Sequence, residues 1–484
     1  MRRTEDWQKN IPVDEGVNWA MPMEVAIRGY WLTMGFGLFH GAPNISSQWW
    51  ANYLKLVYAH GEHLINNLEY FPNLTNHYIS NCFGLIVLGS IFYEETQGKH
   101  WFGGGYKRLL TEIENQVLED GVHYELSVCY HRLVLEMFLI SSMLCKQAGK
   151  LFPEWAMNKI EKMSEFLNDY VHCSDIAPQF GDSDDGIILR TTNDQNIYDH
   201  SDTLALAGVI FKREDFILNC KKISLSAMII TGTEGYEFFR SVKKKITNSN
   251  TTNKNSIKVY KNGGFIILQN ENYKVIIDLG VIGLHGNNDS LSFALYTKND
   301  AIIVDTGTYR YTSEPTLRNA LRSSLSHNAI TVDNKEIAEF DGLWRVKKEI
   351  KKPIFKILND DVNNMEVEAE HFAYNNLGVK YKRSFCLSKN SLVVIDKVYT
   401  KEKHKVSLKF MFDKNCNASL DRAYKDIVNI HTSIGKLNFE SSEKFVVTDS
   451  WYSPSYGVAV STKVIEINNT IENDVQMKYI FKML

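Results

Sequence analysis

The chain carries none of the short signatures of the commonest nucleotide-dependent enzymes and hydrolases. It has no Gly-x-x-x-x-Gly-Lys phosphate loop, no dinucleotide-binding glycine fingerprint, no Gly-x-Ser-x-Gly elbow and no His-Glu-x-x-His helix. Those chemistries recede, and no organic cofactor is expected. Seven cysteines, at positions 82, 129, 145, 173, 220, 386 and 416, are odd in number and contain no Cys-x-x-Cys. That pattern argues against a disulfide framework and a thiolate zinc site, and leaves them as small core residues. There is no excess of either charge: 54 Lys plus Arg stand against 57 Asp plus Glu, a formal net charge of −3. Bulk electrostatics therefore recruit neither nucleic acid nor an anionic membrane. The N-terminal Met1-Arg2-Arg3-Thr4-Glu5-Asp6-Trp7 begins basic but lacks the apolar stretch of a secretory signal. No run is expected to reach the roughly 18 apolar residues of a membrane span, so no integral membrane segment and no export address are read.

What the chain does have is apolar mass, 44% hydrophobic and 12% aromatic over 484 residues, enough for two or three domains. Two periods divide it. From about residue 16 to 236 apolar residues recur at helical spacing, in Met23 to Met34, Ser47 to His60, Asn76 to Tyr93, Tyr106 to Glu119, Tyr124 to Ala148 and Pro153 to Val171. Pro43, Pro72, Pro153, Pro178 and the cluster Gly103-Gly104-Gly105 are expected between these helices as breakers. Residues 241–257, rich in Lys, Asn, Thr and Ser, read as a polar linker. Beyond it the period is two, in runs such as Ser256 to Tyr260, Gly264 to Gln269, Tyr273 to Asp278, Leu291 to Tyr296, Ala301 to Asp305 and Ala329 to Val332. The expected architecture is α+β and multidomain: helices over 1–240, then an antiparallel β-sandwich over 258–484 without intervening helices.

Four stretches could carry chemistry. Asn76 and His77 open an apolar helix, where capping by Thr75 or Asn76 competes with a role in holding an anion. The stretch Asp120-Gly121 to Arg132 gathers Tyr124, Glu125, Tyr130, His131 and Arg132 within a few turns. The run Phe180-Gly181-Asp182-Ser183-Asp184-Asp185-Gly186, with Arg190 beyond it, is a solvated loop, a cation-binding turn or the carboxylate pair of a glycosidase. In the β half, His285-Gly286-Asn287-Asn288-Asp289 dives into a strand. The hairpin turning at Lys298-Asn299-Asp300 is expected to return Asp305 towards Asn287, with His327 on a neighbouring strand, a set able to hold one divalent metal.

Together these segments resemble the heparinase II/III-like polysaccharide lyases, which join a helical (α/α) toroid to an antiparallel β-sandwich. The resemblance runs from about residue 7 to 345 through Asn76-His77, Asp120-Gly121 to Tyr130-His131, the 180–186 run, His285 to Phe293, Asp305-x-Gly307-x-Tyr309 and Arg322-Ser323-Ser324-x-Ser326-His327-Asn328. It implies β-elimination on a uronic-acid-containing acidic polysaccharide. Asn76, with His77, would neutralise the substrate carboxylate; Tyr130 and His285 would move the protons. Tyr124, Arg132, Arg190, Arg318 and Arg322 are the candidate substrate contacts. The resemblance places a metal on positions 287, 305 and 327. Family members commonly carry His-Gly-His where this chain has His285-Gly286-Asn287, so a zinc, calcium or manganese site is expected weakened, lost or shifted towards an oxygen-preferring ion. The toroid is expected to lack its first helices, and a bacterial periplasm or cell envelope is the implied compartment. Two other readings remain: a catalytically weak glycan-binding or assembly relative, and a glycoside hydrolase using Glu125, Asp182, Asp184 or Asp185. The sequence sets no oligomeric state.

Overall fold

The computed structural model describes residues 2–171, 177–191, 196, 198–246, 255–280, 282–347, 351–421, 426–433 and 435–484. Its N-terminal half is helical, with Pro22–Phe39, Ser47–Asn66, Asn76–Ile91, Thr96–Gln116, Val128–Gln147, Glu154–Tyr170, Ser201–Phe211 and Leu225–Ile246 as its longer members. Asn76–Ile91 and Val128–Gln147 are apolar nearly all round and buried on nearly every side, as expected of inner helices wrapped by others. Val128–Gln147 has the length and apolarity of a membrane span, against the sequence expectation. Yet 89% of that window is buried inside the helical core, where His131, Arg132 and Glu136 also lie. The four described cysteines of this half, Cys82, Cys129, Cys145 and Cys220, are free and buried, while Cys173 lies outside the described residues.

Three boundaries differ from the sequence reading. The triplet Gly103-Gly104-Gly105 sits inside helix Thr96–Gln116 rather than between helices. Packing accounts for Gly105, where a Cβ would stand 2.7 Å from the Cys82 carbonyl oxygen, and for Gly89, where one would stand 2.5 Å from the Phe102 nitrogen. These glycines let two helices approach backbone to backbone. The expected helix from Tyr124 begins only at Val128, since Leu126 takes a positive φ of 57° and Ser127 caps the first turn by accepting from Tyr130 N. Tyr124 and Glu125 thus stand in the approach loop. The expected linker is in part helix, which continues to Ile246; residues 247–254 lie outside the described residues.

The C-terminal half stacks sheets. A five-stranded antiparallel sheet runs from Ser256–Tyr260 to Ala301–Ile303 in sequence order, and a bridge between Ile303 and Phe412 continues it towards a four-stranded sheet. An eight-stranded sheet packs across from both. Alternation in strand Phe265–Gln269 shows why the first sheet is buried on both faces. Ile266 and Leu268 point into the sandwich core, whereas Phe265 and Ile267 join the helical core. The sheet is the middle layer between helices and second sheet. The expectation of no helix here fails at Pro315–Arg322, which starts on a proline and buries Arg318 and Arg322, one turn apart, on one side.

The halves are stitched by polar contacts. Lys274 Nζ donates to the Asp169 and Val171 carbonyls (2.7 and 2.6 Å), and the Asn262 and Gly263 amides donate to Asp120 Oδ2 (2.6 and 3.0 Å). The loop 177–186 carries several more: Asp182 N donates to His285 O (2.8 Å), Ser183 N to Thr308 Oγ1 (2.8 Å), and Tyr456 N to Asp185 Oδ2 (2.9 Å). Gly103→Ala, with open space around the new methyl, is expected to stabilise the chain by about 0.5–1 kcal/mol. Gly105→Ala is expected to destabilise it by about 1–3 kcal/mol through overpacking. Thermal unfolding of the two variants checks the opposite signs.

Candidate active site

The helix that opens at Asn76 is capped by the Thr75 side chain, which accepts from His77 N. The capping role falls to Thr75, and the first-turn donors of Asn76 are free to serve something else. Both reach one carboxylate: Asn76 N donates to Glu125 Oε1 (2.7 Å) and Asn76 Nδ2 to Glu125 Oε2 (2.8 Å). His77 turns to the other side of the turn and pairs through Nδ1 with Glu69 Oε1 (2.9 Å), its side chain 31% exposed. Tyr124 donates its hydroxyl to the Leu74 carbonyl (2.5 Å), fixing the approach loop against that turn.

Tyr130, in the first turn of helix Val128–Gln147, meets His285 from the β half. Their rings stack with centroids 4.3 Å apart and planes 23° apart. His285 is held from two sides: Nδ1–H donates to Asp182 Oδ2 (2.9 Å), and Nε2 lies 3.3 Å from Glu125 Oε2. Burial works against a charged imidazole, but Asp182, Glu125 and Asp184 outweigh it, and the net pKa is raised. Asp182 in turn receives the fork of Arg318 (2.7 and 2.6 Å). That pairing with His285 and Arg318 overcomes the effect of its own burial and keeps the carboxylate ionised, below its ordinary range. Tyr130 OH donates to Asp184 Oδ2 (2.9 Å) and lies 2.9 Å from Tyr311 OH. Burial first, then Tyr311 and Asp184, raise its pKa far above that of a free phenol, so the proton stays on.

Other expected contacts are committed inside the protein. Arg132 is buried, donating to the Gly186 carbonyl (2.7 Å) and facing Glu136 at 4.0 Å. Arg318 is spent on Asp182, with its guanidinium over the Trp344 and Tyr311 rings (4.6 and 4.8 Å). Arg322 donates to the Leu343 carbonyl (2.8 Å) and lies over Phe340; burial and the neighbouring Arg318 lower its pKa to about 10. Arg190 is exposed, beyond the loop. Sequence reasoning missed Tyr311 and Trp344. Tyr309, the aromatic of the Asp305 motif, packs instead near Trp451 (5.8 Å), while Tyr311 two residues on reaches Tyr130. Trp344 stands edge-on to His285 at 5.9 Å.

Behind this pair, Asp305 and His327 meet as the hairpin argument requires, Nδ1 to Oδ2 at 2.8 Å. The structure adds Asp289: one donor atom each from Asp289, Asp305 and His327 lies within 4.8 Å of the others, and all three residues are buried. Asp289 stands inside the run that begins at His285, two residues past Asn287. The group could hold a metal ion. His327 Nε2, Asp289 Oδ2 and Asn287 Oδ1 are buried without hydrogen-bond partners. Burial and the nearby Asp305 raise Asp289 to about 6, against the opposing pull of His327. Burial with Asp289 and Asp305 pushes Asp278 up as well. Crowded carboxylates beside unpaired donor atoms fit a cation.

A helical half lies against a stacked antiparallel sandwich, and titratable groups of both meet where they touch. Residues 2–202 match the family described as Heparinase II/III N-terminus, and residues 252–474 the one described as Heparinase II/III-like, C-terminal. The chain belongs to the heparinase II/III family. A heparin-sulfate lyase of Bacteroides stercoris is 22% identical over 404 residues, covering 81% of this chain and 54% of that protein. This chain spans about half the length of the curated relatives it matches. Heparinase III superposes with a TM-score of 0.72 at 17% identity over 100% of this chain and 72% of that one. The heparan sulfate lyase of Pedobacter heparinus gives 0.66 at 19% over 99% and 71%. These solved structures support the expected toroid-plus-sandwich fold.

Asp182→Asn leaves Arg318 buried without its counter-charge, and a loss of about 3–5 kcal/mol in stability is expected. The same substitution should lower the pKa of His285. Thermal unfolding and an NMR titration of the His285 imidazole check both.

Proposed function

We propose that the chain is a polysaccharide lyase that cleaves a uronic-acid-containing polymer by β-elimination. The observation that carries this reading is the stacked Tyr130–His285 pair, contributed by two domains and set beside the Asn76 amide. The C5 proton of a uronate is too weakly acidic to remove until the adjacent carboxylate is neutralised, and an amide donor aimed at that carboxylate stabilises the charge that develops there. His285 in its neutral form takes the C5 proton. Tyr130, whose buried hydroxyl retains its proton, gives it to the departing O4. The C4–O4 bond breaks as the C4=C5 double bond forms, leaving an unsaturated uronate without consuming water. Asp182 keeps the imidazole oriented and basic, and Tyr311 and Asp184 align the phenol.

The hydrolase reading needs one carboxyl group that holds a proton and a second that stays ionised. Asp182 is clamped by Arg318 and held ionised, and Asp185 is committed to Tyr456 N and Ser455 Oγ. Glu125 is fully buried against Asn76. The arrangement favours elimination. The relatives are bacterial, and a periplasmic or cell-envelope enzyme acting on an acidic polysaccharide is the setting we infer. Asp289, Asp305 and His327, with Asn287 beside them in sequence, would hold one divalent ion. Their oxygen-rich set suits calcium or manganese better than zinc. When bound, that ion would neutralise the crowded carboxylates and fix the turn that carries His285.

Tyr130→Phe and His285→Ala are each expected to lower turnover by about 10²–10⁴-fold, read as ultraviolet absorbance of the unsaturated uronate on a panel of uronate polysaccharides. A flat trace from the native chain on every polymer, alongside measurable binding, would favour the glycan-binding relative. The acid limb of kcat/KM should follow His285: activity rises as the imidazole loses its proton, and weakening its carboxylate partner by Asp182→Asn moves that limb to lower pH. Addition of calcium or manganese should raise the unfolding midpoint of the native chain but not of Asp305→Ala.

A further inference from the structure

The Glu125 carboxylate receives Asn76 N and Asn76 Nδ2 and lies 3.3 Å from His285 Nε2, and the residue has no exposed surface. Two donors of Asn76 thus converge on one carboxylate with the His285 imidazole against it, and the Asn76 amide and His285 are the groups assigned above to the substrate. Asn76 Oδ1, also fully buried, has no hydrogen-bond partner. The amide is therefore satisfied as a donor and unsatisfied as an acceptor. With the amide turned over, a protonated Glu125 would donate to this oxygen and Nδ2 would be freed. Two ionised carboxylates sharing one water-poor site would weaken binding by about two to three orders of magnitude, so one of them must take a proton.

We propose that Glu125 is a positioning residue that holds the uronate-binding donors of Asn76 beside His285, and that uronate binding requires Glu125 to take up one proton and release them. This rests on the lyase reading for the identity of the uronate subsite. No covalent step is involved; the proton comes from solvent and returns to it on release. The titratable groups that face Glu125 are His285 from the sandwich, with Asp182 behind it, and His123 and Tyr124 from its own loop. Burial lowers His123 to about 4 and raises Tyr124, so both are neutral near pH 7. Glu125 therefore selects for acidic sugars that arrive with a proton, and it makes binding weaken as pH rises.

The test is calorimetric binding of an unsulfated oligosaccharide of alternating glucuronate and N-acetylglucosamine, run in two buffers of different ionisation enthalpy. The carboxyl-reduced oligosaccharide serves as the neutral probe. The expected result is uptake of about one proton with the uronate and none with the reduced sugar, and a dissociation constant rising up to about tenfold per pH unit. Glu125→Gln should abolish the uptake and flatten that rise. Uptake that persists in Glu125→Gln, no uptake with the native chain, or equal uptake with both sugars overturns the proposal; the last comparison needs no variant to fold. Absence of binding to the uronate probe at every pH overturns it too. Proton uptake without any unsaturated product would leave the exchange at Glu125 standing while overturning elimination.

Discussion

The contact on which the site depends is the pairing of Asp182 with Arg318 and His285. It joins a loop of the helical half to a helix and a strand-entry loop of the sandwich, and all three residues are buried or nearly so. A buried ion pair is a weak source of net stability, because desolvation offsets most of its attraction. Its value here is geometric. The Arg318 fork fixes the carboxylate, the carboxylate fixes the imidazole and its proton, and the imidazole is thereby held flat against Tyr130. Neither half could position that pair alone.

The same logic explains why so many polar groups are buried at the junction. The middle sheet is covered on one face by helices and on the other by the second sheet, so its strands are apolar on both faces and leave little room for adjustment. Polar residues of the junction gather at strand ends, at Asn76 and Glu125, and on the loop 177–186, where Asp182, Asp184 and Asp185 each reach a different partner. Positive φ at Gly181 and Asp185 lets that loop turn tightly enough to do so; a Cβ on Gly181 would stand 2.9 Å from the His285 carbonyl oxygen.

Much of this was legible in the sequence. The change of period from helical to alternating located both halves, and the strand-end motifs located His285, Asp305 and His327, because turn residues and buried polar groups leave local marks. What was not legible depended on packing. Three consecutive glycines read as a breaker, yet they lie within a helix, and only Gly105 marks the place where two backbones approach. Tyr311 had no local mark to separate it from Tyr309; only the direction of the chain after Gly307 selects the phenol that reaches Tyr130. Arg318 and Arg322 looked equally suited to a ligand or an ion pair, and the choice was made by a carboxylate 136 residues away from Arg318 in sequence.

The proposed elimination breaks its bond without water. It is tested most directly by digesting a glucuronate polymer in heavy-oxygen water and weighing the new chain ends by mass spectrometry. The account predicts fragments whose summed mass equals that of the parent, with no heavy oxygen at any new end. One heavy oxygen per cleavage would contradict it and favour the two-carboxylate hydrolase instead.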